Sequence, residues 1–148
     1  MEKRIVDLNT TVAADRARVW SVLTGPEGVV MPGTTVQTDW KQGSPVVFSG
    51  LWQGKAFEDH GEVLAISEGS SLSLSHWSGN RPQPEDYHVI RYDLSPAGDG
   101  HTRVTLTQHN VGSQVDVDEK TRAEFTKTFQ AMLDGLKAKA EAKAQNAA

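Results

Sequence analysis

The chain has 148 residues, of which 37% are hydrophobic and 23% charged: long enough for one domain with a continuous core, too apolar for a disordered chain and too polar for a membrane protein. With 15 basic against 19 acidic residues the net charge is -4, so the long-range field repels a phosphate backbone; no basic stripe offsets it, and nucleic-acid binding is disfavoured. Cysteine is absent, which excludes disulfides, thiolate metal ligands and a cysteine nucleophile.

The opening MEKRIVDLNTTV passes from charge straight into alternation, without an apolar run of signal-peptide or membrane-span length. The expectation is a cytoplasmic protein with no membrane insertion. Residues 3–12 read as a first strand, carried by Ile5, Val6, Leu8 and the β-branched run to Val12. In AADRARVWSVLT the spacing turns helical, with Val19, Trp20 and Leu23 on one face and Asp15, Arg16 and Arg18 facing away. A second brief helix is predicted from Pro26, closed by Pro32 and Gly33.

Six extended segments follow: TTVQTDW, PVVFSGLW, KAFEDHGEVLAIS, SLSLSHW, YHVIRYDLS and HTRVTLTQHN. Gln53-Gly54, SEGSS and PAGDG mark tight connections, and SGNRPQPED a longer exposed rim. From Asp118 onward Phe125, Phe129, Met132, Leu133, Leu136 and Ala140 recur at intervals of three and four, the apolar stripe of a long helix with Asp116 or Asp118 as its N-cap. Residues 1–141 form a single domain in this reading, and 142–148, alanine-rich and without a stripe, a disordered tail. The stripe must be covered, and the inner face of the sheet is the large apolar surface available.

The segments ADRARVWSVLTGPE, WKQGSPVVF, HGEVLAISEGSSLSLSHW and GHTRVTLTQHNVG, in that order and followed by a terminal amphipathic helix, resemble the SRPBCC or START-like superfamily over roughly residues 5–140. The resemblance is to the branch named after the activator of heat-shock protein 90 ATPase. It implies an α+β, helix-grip fold (START-like, birch-pollen-allergen-like): a curved antiparallel sheet of about seven strands, two short helices and a long C-terminal helix, with a binding cavity between sheet and helix. Members of the superfamily include lipid carriers, hormone and allergen-type binders, polyketide cyclases and co-chaperone domains, and fold does not select among them. This sequence departs from common branch members at His76-Trp77 and at GVVMPG, regions that border the cavity in the family, so a relative's ligand does not transfer.

Alternation supplies the inward positions, since residues two apart on a strand share a face. Leu72, Leu74 and His76 share one phase, as do His88, Ile90, Tyr92 and Leu94, with Val89, Arg91 and Asp93 pointing out; Val104, Leu106 and Gln108 share a third. A hairpin centred near Arg81 and Pro82 makes His76 and His88 cross-strand neighbours on an apolar face. They are the candidate catalytic or ligand-bonding groups, because imidazole titrates near neutral pH; mutual pairing, or pairing with Tyr92 or water, is the plainer reading. Trp52, Phe57, Leu74, His76, His88, Ile90, Tyr92, Leu106, Gln108, Phe125, Phe129, Met132 and Leu133 complete the candidate ligand-binding set, and Trp77 borders the mouth. Trp20 and Trp40 read as packing residues.

Glu58, Asp59 and Glu62 around His60 read as a solvated strand face rather than an acid-base cluster. The five histidines lack metal-ligand spacing, so no metal is expected, and no cofactor. Serines near the histidines lack a Gly-x-Ser-x-Gly elbow, which argues against a serine hydrolase. The leading expectation is therefore a binder of a small hydrophobic, aromatic or lipid-like molecule. A polyketide cyclase or dehydratase-like enzyme using the cavity histidines is the alternative, and a co-chaperone or stress-response interaction domain a third. Such activators carry an extra N-terminal domain that does not precede this stretch, so a chaperone partner is disfavoured; a weak homodimer stays open.

Overall fold

The computed structural model describes residues 4–25, 34–78, 87–111 and 117–146. Among the described residues, seven strands and two helices follow in chain order: β1 (Arg4–Val12), α1 (Arg16–Leu23), β2 (Thr34–Gln37), β3 (Pro45–Trp52), β4 (Lys55–Ser67), β5 (Ser71–Ser78), β6 (Tyr87–Pro96), β7 (Thr102–Val111) and α2 (Glu119–Asn146). The strands form one antiparallel sheet in the order β1-β7-β6-β5-β4-β3-β2, so each strand after β1 pairs with its sequence neighbour and β1 closes against β7. With α2 laid across the sheet, this is the helix-grip fold. The second short helix expected from Pro26, the 79–86 rim and the alternative cap Asp116 lie outside the described residues.

Local chemistry explains the boundaries. Between β3 and β4, Gln53 and Gly54 both take positive φ (51° and 80°), the backbone a two-residue hairpin turn demands. β2 stops at Gln37, short of the TTVQTDW span, because the Asp39 carboxylate accepts from Lys41 N (3.2 Å) and Trp40 turns to φ 59°, which breaks the extended run. Asp15 caps α1 by accepting from Arg18 N (2.7 Å), and Asp118 caps α2 by accepting from Thr121 N (2.7 Å). Arg18 does not face freely away: it is half-buried, with Nε and Nη2 shielded from solvent. At its far end α2 continues to Asn146, past the boundary at 141, since KAEAKAQN is built mostly from strong helix formers and the tail expected there is helical backbone.

Registers carry one inward phase across the whole sheet. Val6, Leu8, Thr10 and Val12 of β1 sit opposite Gln108, Leu106, Val104 and Thr102 of β7; Leu74 and His76 of β5 sit opposite Ile90 and His88 of β6. The phase passes to Asp59 and Val63 on β4 and to Val46 and Phe48 on β3. Outward does not always mean exposed: Val89, on the opposite phase, is itself buried.

α2 is fastened along β1. At one end the Arg122 guanidinium donates to the carbonyls of Arg4 (3.1 Å) and Ile5 (2.9 Å); at the other Lys137 Nζ donates to Thr11 O (2.8 Å) and Glu141 accepts from Ala13 N (2.8 Å). Fifteen helical residues rise about 22 Å, and the seven-residue step from Arg4 to Thr11 on a strand spans about 23 Å, so the matched lengths let helix and strand run side by side. Leu133, Leu136 and Ala140 are buried beneath the second half of the helix, with Val19 and Leu23 of α1 in the same core.

Candidate functional site

Beneath the first half of α2 the packing opens. A cavity of about 280 Å³ lies between the helix and the middle of the sheet. Phe125, Thr128, Phe129 and Met132 roof it; Ile90, His76 and His88 form its floor on β5 and β6; Thr34, Phe48, Phe57 and Asp59 wall it from β2 to β4. α1 supplies Val19 and Leu23 to the packed part of the core, and neither of them lines the cavity.

Of the residues expected here from the sequence, Phe57, His76, His88, Ile90, Phe125, Phe129 and Met132 line the cavity. Leu74, Tyr92, Leu106, Gln108 and Leu133 do not. They point inward as expected but are fully packed, because the open space covers only part of the inner face. The side chain of Trp52 lies outside the described ones. Trp77 occupies the outward phase of β5, half-buried, with its Nε1 sealed and without a partner among the described residues, and is not among the cavity-lining residues.

Thr34, Phe48, Asp59 and Thr128 were not foreseen. For Asp59 the signal was present, since it shares a phase with Phe57, Gly61 and Val63, all two apart along β4. The carboxylate is therefore not part of a solvated face: its Oδ2 stands 3.0 Å from His76 Nε2. His60 and Glu58, on the other phase, stay apart from the cavity and approach each other at 3.2 Å.

His76 and His88 are direct cross-strand partners, with rings stacked at 5.8 Å between centroids and 22° between planes. Phe48 meets His76 edge-on at 5.0 Å, and Phe125 meets His88 edge-on at 5.6 Å, so the imidazoles are clamped between two phenyl edges. Burial pushes the His76 imidazole below its ordinary value of 6.5, outweighing the opposing pull of the Asp59 carboxylate, and the adjacent His88 adds to the lowering. His76 is thus uncharged at neutral pH.

The protons on these rings can be placed by elimination. A carboxylate only accepts, so His76 carries its hydrogen on Nε2, toward Asp59. Gln108 sits 3.3 Å from the His109 backbone carbonyl, which also only accepts, so the nearby end of that amide is the NH2 group. That group donates to Asn110 Oδ1 at 2.6 Å, which fixes this Asn110 atom as the carbonyl oxygen; His88 Nδ1, also 2.6 Å from it, must then donate. In their neutral forms the two imidazoles are therefore opposite tautomers, His76 with its hydrogen on Nε2 and His88 with its hydrogen on Nδ1.

Residues 13–141 match the model of the family described as Activator of Hsp90 ATPase homolog 1-like protein. The chain belongs to this family. The Activator of Hsp90 ATPase homolog 1-like family lies within the SRPBCC, START-like superfamily that the sequence motifs resemble. Among solved structures, ChR145 from Cytophaga hutchinsonii is 37% identical with a TM-score of 0.72, covering 95% of each chain. Ara h 8.0201 is 13% identical with a TM-score of 0.68, covering 90% of this chain and 95% of its own, and CalU16 from Micromonospora echinospora is 18% identical with a TM-score of 0.62, covering 95% and 78%. The last two show the shared fold alone. No curated protein matches the sequence. Among the described residues there is no helix long and apolar enough to cross a membrane, and no group of three or more His, Asp and Glu placed to hold a metal.

Proposed function

We propose that this family member binds a small aromatic molecule in the cavity beneath the first half of α2. The observation that carries the reading is a cavity of about 280 Å³, partly open to solvent, lined mostly by phenyl rings and aliphatic groups, with polar groups from Asp59, His76, His88, Thr34 and Thr128. Small-molecule sites have this composition: mostly apolar, with a few fixed polar groups that set orientation. An apolar protein cavity of ~150 Å³ accommodates benzene, so the volume suits a one- or two-ring compound better than a long-chain lipid. Edge-on Phe48 and Phe125 leave ring faces and edges available for a planar guest.

Proton-transfer catalysis of the cyclase kind draws on the same histidines and is the second reading. Asp59 favours it, because a carboxylate on the far nitrogen orients an imidazole and stabilises its charged form. Binding comes first, since both readings require it.

Native mass spectrometry of freshly purified protein tests the proposal. The expected spectrum contains the chain plus one small-molecule mass, or acquires it when 2-naphthol is added, and Met132→Trp removes the adduct by filling the space at a cost of about 1–3 kcal/mol in stability. Bare chain alone, with no saturable 2-naphthol binding by calorimetry, would overturn it.

A further inference from the structure

The tautomers of His76 and His88 have a consequence for what the cavity selects, which rests on the binding function proposed above. With the Nε2 hydrogen of His76 directed at Asp59 and the Nδ1 hydrogen of His88 directed at Asn110, the nitrogens left over, His76 Nδ1 and His88 Nε2, are the lone-pair acceptors in the neutral form of each ring. Neither has a protein partner among the described residues, and neither is among the sealed, unpartnered atoms of the interior. Both rings line the cavity. We infer that the ligand is a hydrogen-bond donor, a hydroxyaromatic or enolic weak acid taken up in its protonated form, with its O–H directed at this pair of imidazole lone pairs.

Charge reinforces the selection. The titratable groups facing the cavity are Asp59 from β4, His76 from β5 and His88 from β6; β2 and β3 contribute Thr34 and Phe48, and α2 contributes Phe125, Thr128, Phe129 and Met132, so no lysine or arginine among the described residues lines it. Glu124 and Lys127 of α2 are exposed to solvent. An anionic ligand would share a largely apolar cavity with the Asp59 carboxylate and meet the imidazole lone pairs, without a fixed cation among the described lining residues to offset it. The neutral acid meets the imidazole acceptors, beside the Thr34 and Thr128 hydroxyls, which can accept as well as donate. A ligand that offers only an ether or carbonyl oxygen leaves both nitrogens facing an acceptor, and a site built for a donor rejects its blocked analogue strongly.

Two probes of nearly the same size separate the cases: 4-nitrophenol, and 4-nitroanisole, in which a methyl group replaces the donated hydrogen. The expected result is at least about tenfold tighter binding of the phenol. At a pH where free 4-nitrophenol is half ionised, adding protein should bleach its phenolate absorption, because the protonated form is withdrawn. Replacing both histidines (His76→Leu with His88→Leu) should bring the two affinities within about twofold, while His88→Gln alone, which can still present an acceptor, should keep part of the preference; circular dichroism checks that each variant is folded, and the wild-type comparison stands without them. Equal affinities for the two probes in wild type would overturn this inference and leave the cavity function standing. A phenolate band that persists in saturated complex would overturn it as well, by showing an anion site. If neither probe binds, both the inference and the proposed function fail.

Discussion

Replacing Gly61 with alanine is expected to cost roughly 3 kcal/mol, equivalent to a fall of about 6–12 °C in melting temperature for a chain of this size. Gly61 is buried on the inward phase of β4, where a Cβ would overlap the Ser75 carbonyl oxygen and approach Ser75 C to 2.8 Å and Phe48 Cε2 to 3.2 Å. Backbone cannot yield as a flexible side-chain tip can. The ladder between β4 and β5 is interrupted here, between His60↔Trp77 and Val63↔Leu74, and the Ser75 hydroxyl accepts from Glu62 N at 3.0 Å. The close approach at Gly61 sits beside Asp59, so alanine should also lengthen the Asp59–His76 contact and weaken ligand binding. A thermal melt within 2 °C of wild type, about the effect of an ordinary surface substitution, would show that the strands do not meet this tightly.

Leu133→Ala should destabilise the protein by about 3 kcal/mol in equilibrium urea unfolding, within the range for buried leucines whose surroundings relax only partly. Leu133 is fully buried, while its neighbours Phe129 and Met132 border open space. The lost methyl groups leave a void in the packed part of the core, beside Leu136 and the α1 residues Val19 and Leu23. A loss under about 1 kcal/mol would be too small for a seated core leucine and would mean that α2 does not close the sheet as described.

Much of the architecture was legible because its signals are local. Paired turn residues such as Gln53-Gly54 delimit strands, and the stripe from Phe125 to Ala140 has a single explanation. The meeting of His76 and His88 required only counting outward from Arg81 and Pro82 along two strands of clear alternation. Asp59 was harder, because β4 carries carboxylates on both faces, and a register shift between Val63 and Ala65 breaks the count, so that Val63 and Ile66, three apart, both turn to the core. Extent was not legible at all. Leu74, Tyr92, Leu106 and Gln108 have the same inward phase as the cavity residues, and what separates them is how α1 and α2 fill the interior, a tertiary fact that no strand pattern encodes.

Polar residues in that packed floor serve the site indirectly. Gln108, wholly buried, holds Asn110, and Asn110 orients His88. Tyr92 is equally buried, and burial lifts its phenol far above its usual value, so it stays protonated at any working pH. The rigid arrangement of one fixed donor position per imidazole is thus a property of the whole sheet, from β4 to β7, rather than of the two histidines alone.

The most direct measurement is a methyl NMR titration of isotope-labelled protein with 2-naphthol, following the Met132 and Ile90 methyl groups with Ile66 as the reference outside the cavity. Saturable shifts at Met132 and Ile90, with Ile66 unmoved, are what a guest bound beneath α2 produces; shifts that never saturate, or that appear at Ile66 while Met132 and Ile90 stay still, would contradict it.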